Sequence, residues 1–237
     1  SARMLEEHHS GLGKRESVKY FAHVLSSMVD CITFRGKHHE VVEEFASYSS
    51  VPVINALTDK SHPCQALADM LTIKEEFGSF DDVRIAWVGD SNNVTASFIE
   101  AAAMLGCHFV VSSPEGYKFS KAEIEPLTKQ RQPGFSLEFI DDPMTAVAGA
   151  NVLYTDVWVS MGQEAEEEKR KAAFAPYQVN SALMQRARKD AIFMHCLPAR
   201  RGLEVTDDVI DSQQSRIVQE ASNRMHAQKG LLVWLLQ

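Results

Sequence analysis

The sequence has no long hydrophobic run and no excess of positive charge, and both absences exclude classes of protein. Its longest apolar run, residues 231–236, is far shorter than the roughly 20 residues that span a bilayer, and no signal peptide is recognisable at its start. The net charge of −8 argues against non-specific binding to nucleic acid. We therefore expect a cytoplasmic protein with no membrane partner and no nucleic-acid partner.

Cysteines are also scarce, and no two of them form a C-x-x-C pair. Their wide spacing favours reduced thiols over a disulfide framework or a zinc site. The four are Cys31, Cys64, Cys107 and Cys196. A G-x-G-x-x-G fingerprint is missing too, because Gly89 is followed by Asp90 and Ser91, and this weakens the hypothesis of a nucleotide-dependent oxidoreductase. What the chain does contain, 237 residues of which 45% are hydrophobic, suffices for one large globular domain or two smaller ones.

Apolar segments with strand and helix periods alternate along the chain, which predicts an α/β protein with parallel sheets and right-handed crossovers. The predicted strands cover residues 31–35, 51–54, 84–88, 108–112, 136–140, 151–155 and 191–194. The predicted helices cover residues 17–30, 38–47, 61–77, 94–105, 121–130, 143–148 and 220–236. Residues 1–14 show no period, and the break at residues 78–82 is the preferred domain boundary. Charges at i,i+4 spacing in residues 164–171 indicate a solvated helix without chemistry.

The segment from residue 61 to residue 71 predicts a helix that opens onto a chemical site. Ser61 is the expected N-cap, and Pro63 suits the first turn because its missing N–H costs nothing there. His62 and Gln65 are three residues apart, so their side chains leave the same face. The pattern fits either an ordinary capped helix or a binding site for an oxygen-rich anion.

Polar residues follow three predicted strands, at the carboxyl ends where open parallel sheets bind ligands. Asn92 and Asn93 are either turn formers or hydrogen-bonding groups for a ligand. Asp156 either pairs with an amine or forms an Asx-turn beside a core Trp158. Ser160 and the nearby Gly162 would let a loop approach a ligand closely.

Two further patterns concern a thiol and two arginines. His195 and Cys196 are adjacent, so on a strand they would point to opposite faces, which argues against a cysteine hydrolase and for a thiol that binds or orients. Arg35 at a strand end and Arg224 in the predicted first turn of the last helix are either solvated or paired with an anion. A cation in the first turn opposes the helix dipole unless an anion lies nearby.

In this order and combination, the motifs resemble those of ornithine carbamoyltransferases, within the aspartate/ornithine carbamoyltransferase family, from about residue 11 onward. They are His62-Pro63-Cys64-Gln65, Asp90-Ser91-Asn92-Asn93-Val94, Asp156-Val157-Trp158-Val159-Ser160-Met161-Gly162, His195-Cys196-Leu197-Pro198 and Glu220-Ala221-Ser222-Asn223-Arg224. The resemblance implies two lobes with parallel sheets and flanking helices. The expected divisions are a carbamoyl-phosphate lobe at 1–77, an ornithine lobe at 78–219, and a C-terminal helix at 220–237 that crosses back to the first lobe.

The resemblance also implies a reaction, in which carbamoyl phosphate and L-ornithine give L-citrulline and phosphate in arginine metabolism. Such enzymes need no metal and no organic cofactor, and they form homotrimers. The residues implied for carbamoyl phosphate are Arg35, His62, Gln65, Cys196, Leu197 and Arg224, of which Arg35, His62 and Cys196 are the expected catalytic ones. The residues implied for ornithine are Asn93, Asp156, Ser160 and Met161.

One departure from the family pattern leaves the activity of the chain open. The Ser-Thr-Arg-Thr-Arg phosphate loop of these enzymes is not found, and residues 1–10 fit the family poorly, so we expect a truncated first lobe and a poor catalyst. The chain is then a fragment of a normal enzyme, a non-catalytic amino-acid-binding or regulatory paralogue, or a subunit whose phosphate loop comes from a neighbour.

Overall fold

The computed structural model describes residues 4–6, 16–160 and 163–237, which form two parallel sheets with flanking helices. The first sheet has the order β1-β2-β3. Its strands are β1 (Met4–Glu6), β2 (Ile32–Arg35) and β3 (Val53–Leu57), and its helices are α1 (Val18–Ser26), α2 (His39–Tyr48) and α3 (Pro63–Phe77). The predicted α/β class is confirmed, but β1 was missed, because residues 1–14 show no period in the sequence.

The second sheet has the order β6-β5-β4-β7-β8, with every neighbouring pair parallel. Its strands are β4 (Arg84–Val88), β5 (His108–Ser112), β6 (Ser136–Phe139), β7 (Val152–Tyr154) and β8 (Ile192–Met194). Its helices are α4 (Asn93–Leu105), α5 (Lys121–Leu127), α6 (Pro143–Ala146), α7 (Glu167–Phe174), α8 (Ser181–Arg186) and α9 (Asp207–Ile210), and α10 (Ile217–Leu235) follows. The chain reverses its direction of winding at β4, so a crevice opens beyond the carboxyl ends of β4 and β7.

The two longest helices, α3 and α10, pack against each other and so connect the last segment of the chain to the first lobe, as predicted. Polar contacts fix their register: both oxygens of Glu76 accept from Arg216, at 2.6 and 2.7 Å. Asn223 Nδ2 donates to Thr72 Oγ1 at 3.0 Å. Nothing in the described ranges forms a helix that is both long and apolar enough to cross a membrane.

Two predicted helix starts are wrong. The N-cap of α3 is His62, because the Ser61 hydroxyl is taken up as an acceptor from Asn55 Nδ2 at 2.8 Å. The last helix begins at Ile217, so Arg224 lies two turns inside it and the argument from the helix dipole does not apply. Glu220 occupies the first turn instead.

Candidate active site

The start of α3 holds His62 in a buried position, with its ring nitrogen available. The backbone N–H of His62 donates to the Ser97 hydroxyl at 2.7 Å, which fixes the end of α3 against α4. The ring is buried, and among the described residues its Nδ1 has no hydrogen-bond partner. A buried polar atom left unpaired costs free energy, so such an atom indicates a ligand position.

Electrostatics keep this histidine neutral. Burial, together with the positive charges of Arg224 and Arg35, lowers the pKa of His62 to about 3. A neutral imidazole carries one N–H donor and one acceptor nitrogen. Near neutral pH, His62 therefore donates a hydrogen bond without adding a charge.

Two further groups of the predicted phosphate end lie beside it. Arg224 reaches across from α10, and its Nη1 donates to Gln65 Oε1 at 2.6 Å. The Nε of Arg224 is buried, and no described atom accepts its hydrogen bond. Arg35, at the end of β2, is exposed, and its charge reaches His62. The structure thus brings His62, Gln65, Arg35 and Arg224 together as a positively charged pocket wall.

The second group lies in the crevice at the ends of β4 and β7. Asp156 is buried, and it accepts hydrogen bonds from Asn92 Nδ2 at 2.7 Å and from the backbone N–H of Val157 at 2.7 Å. The Cys196 thiol donates to the same carboxylate at 3.1 Å. Asn92 is both the N-cap of α4 and a partner of Asp156.

Cys196 is not poised as a nucleophile. Burial, and then the charge of Asp156, raise the pKa of its thiol well above the usual range, so the sulfur stays protonated. The sequence argument reached this conclusion for a wrong reason, since β8 ends at Met194 and strand alternation does not govern His195. Around the thiol, one side-chain oxygen of Asp156, one ring nitrogen of His195 and the sulfur of Cys196 all lie within 4.8 Å of one another.

Hydrogen bonds to other groups hold His195 in place beside the thiol. Its Nδ1 accepts from the backbone N–H of Leu197 at 2.9 Å, and its Nε2 lies 3.3 Å from Glu204 Oε1. These contacts shape the turn in which Leu197 adopts a left-handed φ of 56° and is 37% exposed.

The remaining predicted ornithine residues have different surroundings. Asn93 Nδ2 donates to the carbonyl of Thr58 at 2.6 Å and so links the two lobes. The backbone of Ser160 pairs with Gln163, whose side-chain oxygen accepts from the Ser160 N–H at 3.0 Å. Met161 lies outside the described residues.

Sequence reasoning missed a buried polar network behind this site. Gln65 Nε2 donates to Asp69 Oδ1 at 2.8 Å and to Glu220 Oε1 at 2.9 Å. The Tyr154 hydroxyl lies 2.9 Å from Glu220 Oε1, and Glu220 Oε2 accepts from the backbone N–H of His195 at 2.9 Å. The available signal was the helical spacing, which places Asp69 four residues after Gln65 and Glu220 four residues before Arg224.

A second correction concerns Arg170, which was predicted to lie on a solvated helix. Its guanidinium is buried, pairs with Asp90, and lies 4.8 Å from the ring centroid of Tyr117. Its Nε also donates to the carbonyl of Trp158. Arg170 therefore anchors the segment that leads from Asp156 to Ser160.

Comparisons with known proteins show the family of the chain. The sequence model described as "Aspartate/ornithine carbamoyltransferase, carbamoyl-P binding domain" matches residues 2–75. The one described as "Aspartate/ornithine carbamoyltransferase, Asp/Orn binding domain" matches residues 81–235. The chain therefore belongs to the aspartate/ornithine carbamoyltransferase family.

Within that family, the relatives carry one name. The chain is 50% identical to the ornithine carbamoyltransferase of Anoxybacillus flavithermus over 226 residues, which are 95% of this chain and 72% of the relative. It is 49% identical to that of Bacillus subtilis over 237 residues, which are 100% of this chain and 74% of the relative. The solved ornithine carbamoyltransferase of Pyrococcus furiosus superposes with a TM-score of 0.89 at 48% identity, covering 94% of this chain and 72% of the other.

Proposed function

We propose that this protein transfers the carbamoyl group of carbamoyl phosphate to the δ-amine of L-ornithine, giving L-citrulline and phosphate. The observation that carries the proposal is the pair of buried nitrogens without a partner in the described chain, His62 Nδ1 and Arg224 Nε, on two residues close enough to interact electrostatically. Donors of this kind stabilise the negative charge that develops on a carbonyl oxygen and on a departing phosphate.

In this reaction the first group of residues acts on carbamoyl phosphate. The uncharged δ-amine attacks the carbonyl carbon, the carbon–oxygen bond to phosphate breaks, and the proton lost by the amine nitrogen leaves on the departing phosphate. Arg35 and Arg224 hold the phosphate oxygens, His62 donates to the carbonyl oxygen, and Gln65 contacts the carbamoyl group. Holding both reactants in contact supplies much of the rate enhancement.

The second group of residues holds ornithine. Asp156 binds the α-amine, with Asn93, Ser160 and Met161 around the amino acid. Cys196 and Leu197 lie where the two substrates meet. A protonated thiol beside Asp156 fits a role in orientation rather than in covalent catalysis.

The rival hypothesis, a non-catalytic amino-acid-binding or regulatory paralogue, is less well supported. Identity of about half the residues to ornithine carbamoyltransferases, over 95% of this chain, favours the transferase. The homotrimer, the cytoplasmic location and the lobe limits at residues 77 and 219 are further proposals. Four free cysteines support a reducing compartment.

The test is the formation of citrulline from carbamoyl phosphate and ornithine, compared between the protein and its His62→Ala variant. Removing one preorganised donor typically costs about 10²–10³ in kcat, which is the loss expected here. His226→Ala is the matched control, because His226 is an exposed histidine on α10. Binding of both substrates by a correctly folded protein that forms no citrulline would contradict the proposal and favour the paralogue.

A further inference from the structure

The amide of Gln65 is held in a single orientation by charged groups on both sides. Its Nε2 donates one hydrogen to Asp69 Oδ1 at 2.8 Å and the other to Glu220 Oε1 at 2.9 Å. Its Oε1 accepts from Arg224 Nη1 at 2.6 Å. A rotation by 180° would turn the amide oxygen toward Glu220 and the amide nitrogen toward the Arg224 guanidinium, so the hydrogen bonds to both of these groups would be lost.

The two carboxyl groups are too close and too dry to be ionised together. Asp69 and Glu220 are buried, and they receive hydrogen bonds from the same amide nitrogen. When two carboxylates lie side by side in a site without water, the repulsion between their charges causes one of them to take up a proton. Burial, followed by the charge of Glu220, raises the pKa of Asp69 well above its usual range.

The hydrogen-bond donors indicate which partner carries the proton. Glu220 accepts from Gln65, from the Tyr154 hydroxyl at 2.9 Å and from the backbone N–H of His195, three donors that stabilise a charge. Asp69 accepts from Gln65 and, at a longer 3.3 Å, from the same Tyr154 hydroxyl. Asp69 Oδ2 is buried and has no hydrogen-bond partner among the described residues. A neutral Asp69 beside an ionised Glu220 fits this distribution.

The pair also connects the two ends of the proposed site. Through Gln65, Glu220 fixes a group of the carbamoyl-phosphate end, and through His195 it fixes the residue that opens the turn with Cys196 and Leu197. We propose that Asp69 and Glu220 share one proton and act as positioning residues that hold Gln65 and this turn in register for carbamoyl transfer. The positioning role rests on the proposed function, whereas the shared proton does not.

The shared proton is tested first, by carbon-13 NMR of the protein labelled at its aspartate carboxyl carbons. The resonance that is present in the spectrum of the parent protein and missing from that of the Asp69→Asn variant belongs to Asp69. We expect it to keep the shift of a protonated acid near neutral pH, where the exposed aspartates are ionised. Titration of Asp69 together with the exposed aspartates would overturn the proposal, whether or not the protein forms citrulline.

The positioning role is tested by comparing Asp69→Asn with Glu220→Gln. Asparagine keeps an oxygen for Gln65 and is neutral, like the proposed acid, whereas glutamine at 220 must present an NH₂ group to at least one of its three donors. We expect Glu220→Gln to weaken carbamoyl phosphate binding by calorimetry, and to lower kcat, by about tenfold or more beyond the effect of Asp69→Asn. Equal losses in the two variants would contradict the assignment.

A structural control separates positioning from simple stability. Glu76→Gln removes the Arg216 ion pair between the same two helices, α3 and α10, outside the site. We expect a lower unfolding temperature for this variant with an unchanged KM for carbamoyl phosphate. If Glu76→Gln changed the KM as much as Glu220→Gln, the network would be a structural brace only, and the positioning role would be wrong.

Discussion

The two ends of the proposed site differ in how fully their polar groups are satisfied. At the end formed by α3 and α10, His62 Nδ1 and Arg224 Nε are buried with no partner in the described chain. At the end formed by β4 and β7, the Asp156 carboxylate already accepts from Asn92, Val157 and Cys196. The first end is positively charged and has hydrogen-bond donors without partners. The second end is negatively charged, and most of its acceptor positions are occupied.

This difference has a consequence for binding. A phosphate entering the first end gains charge-assisted hydrogen bonds without breaking others. An amine entering the second end meets a carboxylate that already accepts three hydrogen bonds, so fewer acceptor positions are left for it. We therefore expect the first end to dominate affinity and the second to decide which amine is accepted.

The largest expected effect comes from removing the positive charge of Arg224 from the end formed by α3 and α10. Arg224→Gln removes charge-assisted contacts worth about 1.5–3 kcal/mol each, so we expect kcat/KM for carbamoyl phosphate to fall by about 10²–10³ or more. Steady-state kinetics at fixed ornithine measures this. Arg188→Gln, which breaks only an exposed pair with Asp190, is the control. A loss below about tenfold would show that the first end is not the dominant one.

A smaller effect is expected at the end formed by β4 and β7. Asp156→Asn keeps the size of the side chain but removes its charge, so the KM for ornithine should rise by about 10- to 100-fold. Isothermal titration should give a nearly unchanged Kd for carbamoyl phosphate. Asp190→Asn, at an exposed aspartate, serves as the control. Equal changes for both substrates would abolish the distinction between the two ends.

The last prediction concerns how the free energy of unfolding changes with pH, and it involves neither substrate. Because the pKa of His62 is about 3 when folded, against about 6.5 when unfolded, the unfolded chain binds a proton that the folded chain does not. The contribution that neutral His62 makes to the free energy of unfolding is therefore fully present above pH 6.5 and is lost as the pH falls through about 3. When urea unfolding is measured at several pH values, His62→Gln should reduce the slope of the free energy of unfolding against pH by the equivalent of up to one bound proton. A slope equal to that of the parent would mean that His62 is charged when folded.

The sequence allowed the regular parts of the fold to be predicted, and it failed where distant contacts override local pattern. The bounds predicted for β4 and β5 agree with the structure, since these strands are continuous apolar runs inside a sheet. Local spacing assigned Arg170 to solvent, because its partner Asp90 is 80 residues away. Pairing with β2 makes Met4–Glu6 a strand, although no local period marks it.

The site residues divide in the same way. His62 and Gln65 were predicted as site residues because one turn of helix presents them together, and Asp156 because it follows a buried strand. The roles of Asp69 and Glu220 were missed, since a carboxylate within a helix is normally a solvated group and nothing nearby in the chain shows that both are buried. The helix start at Ile217 was placed three residues late because the first turn of α10 has no side-chain cap.

The packing of α10 on α3 also sets the order in which the molecule is assembled. Asn223 and Thr72, which meet in this contact, are 151 residues apart. During synthesis, α3 emerges before α10 has been made, and the carboxyl groups that α10 covers stay in water until α10 follows. Contacts of such long range close late and slowly. The second sheet can form before them, so the phosphate end of the site is the last part to mature.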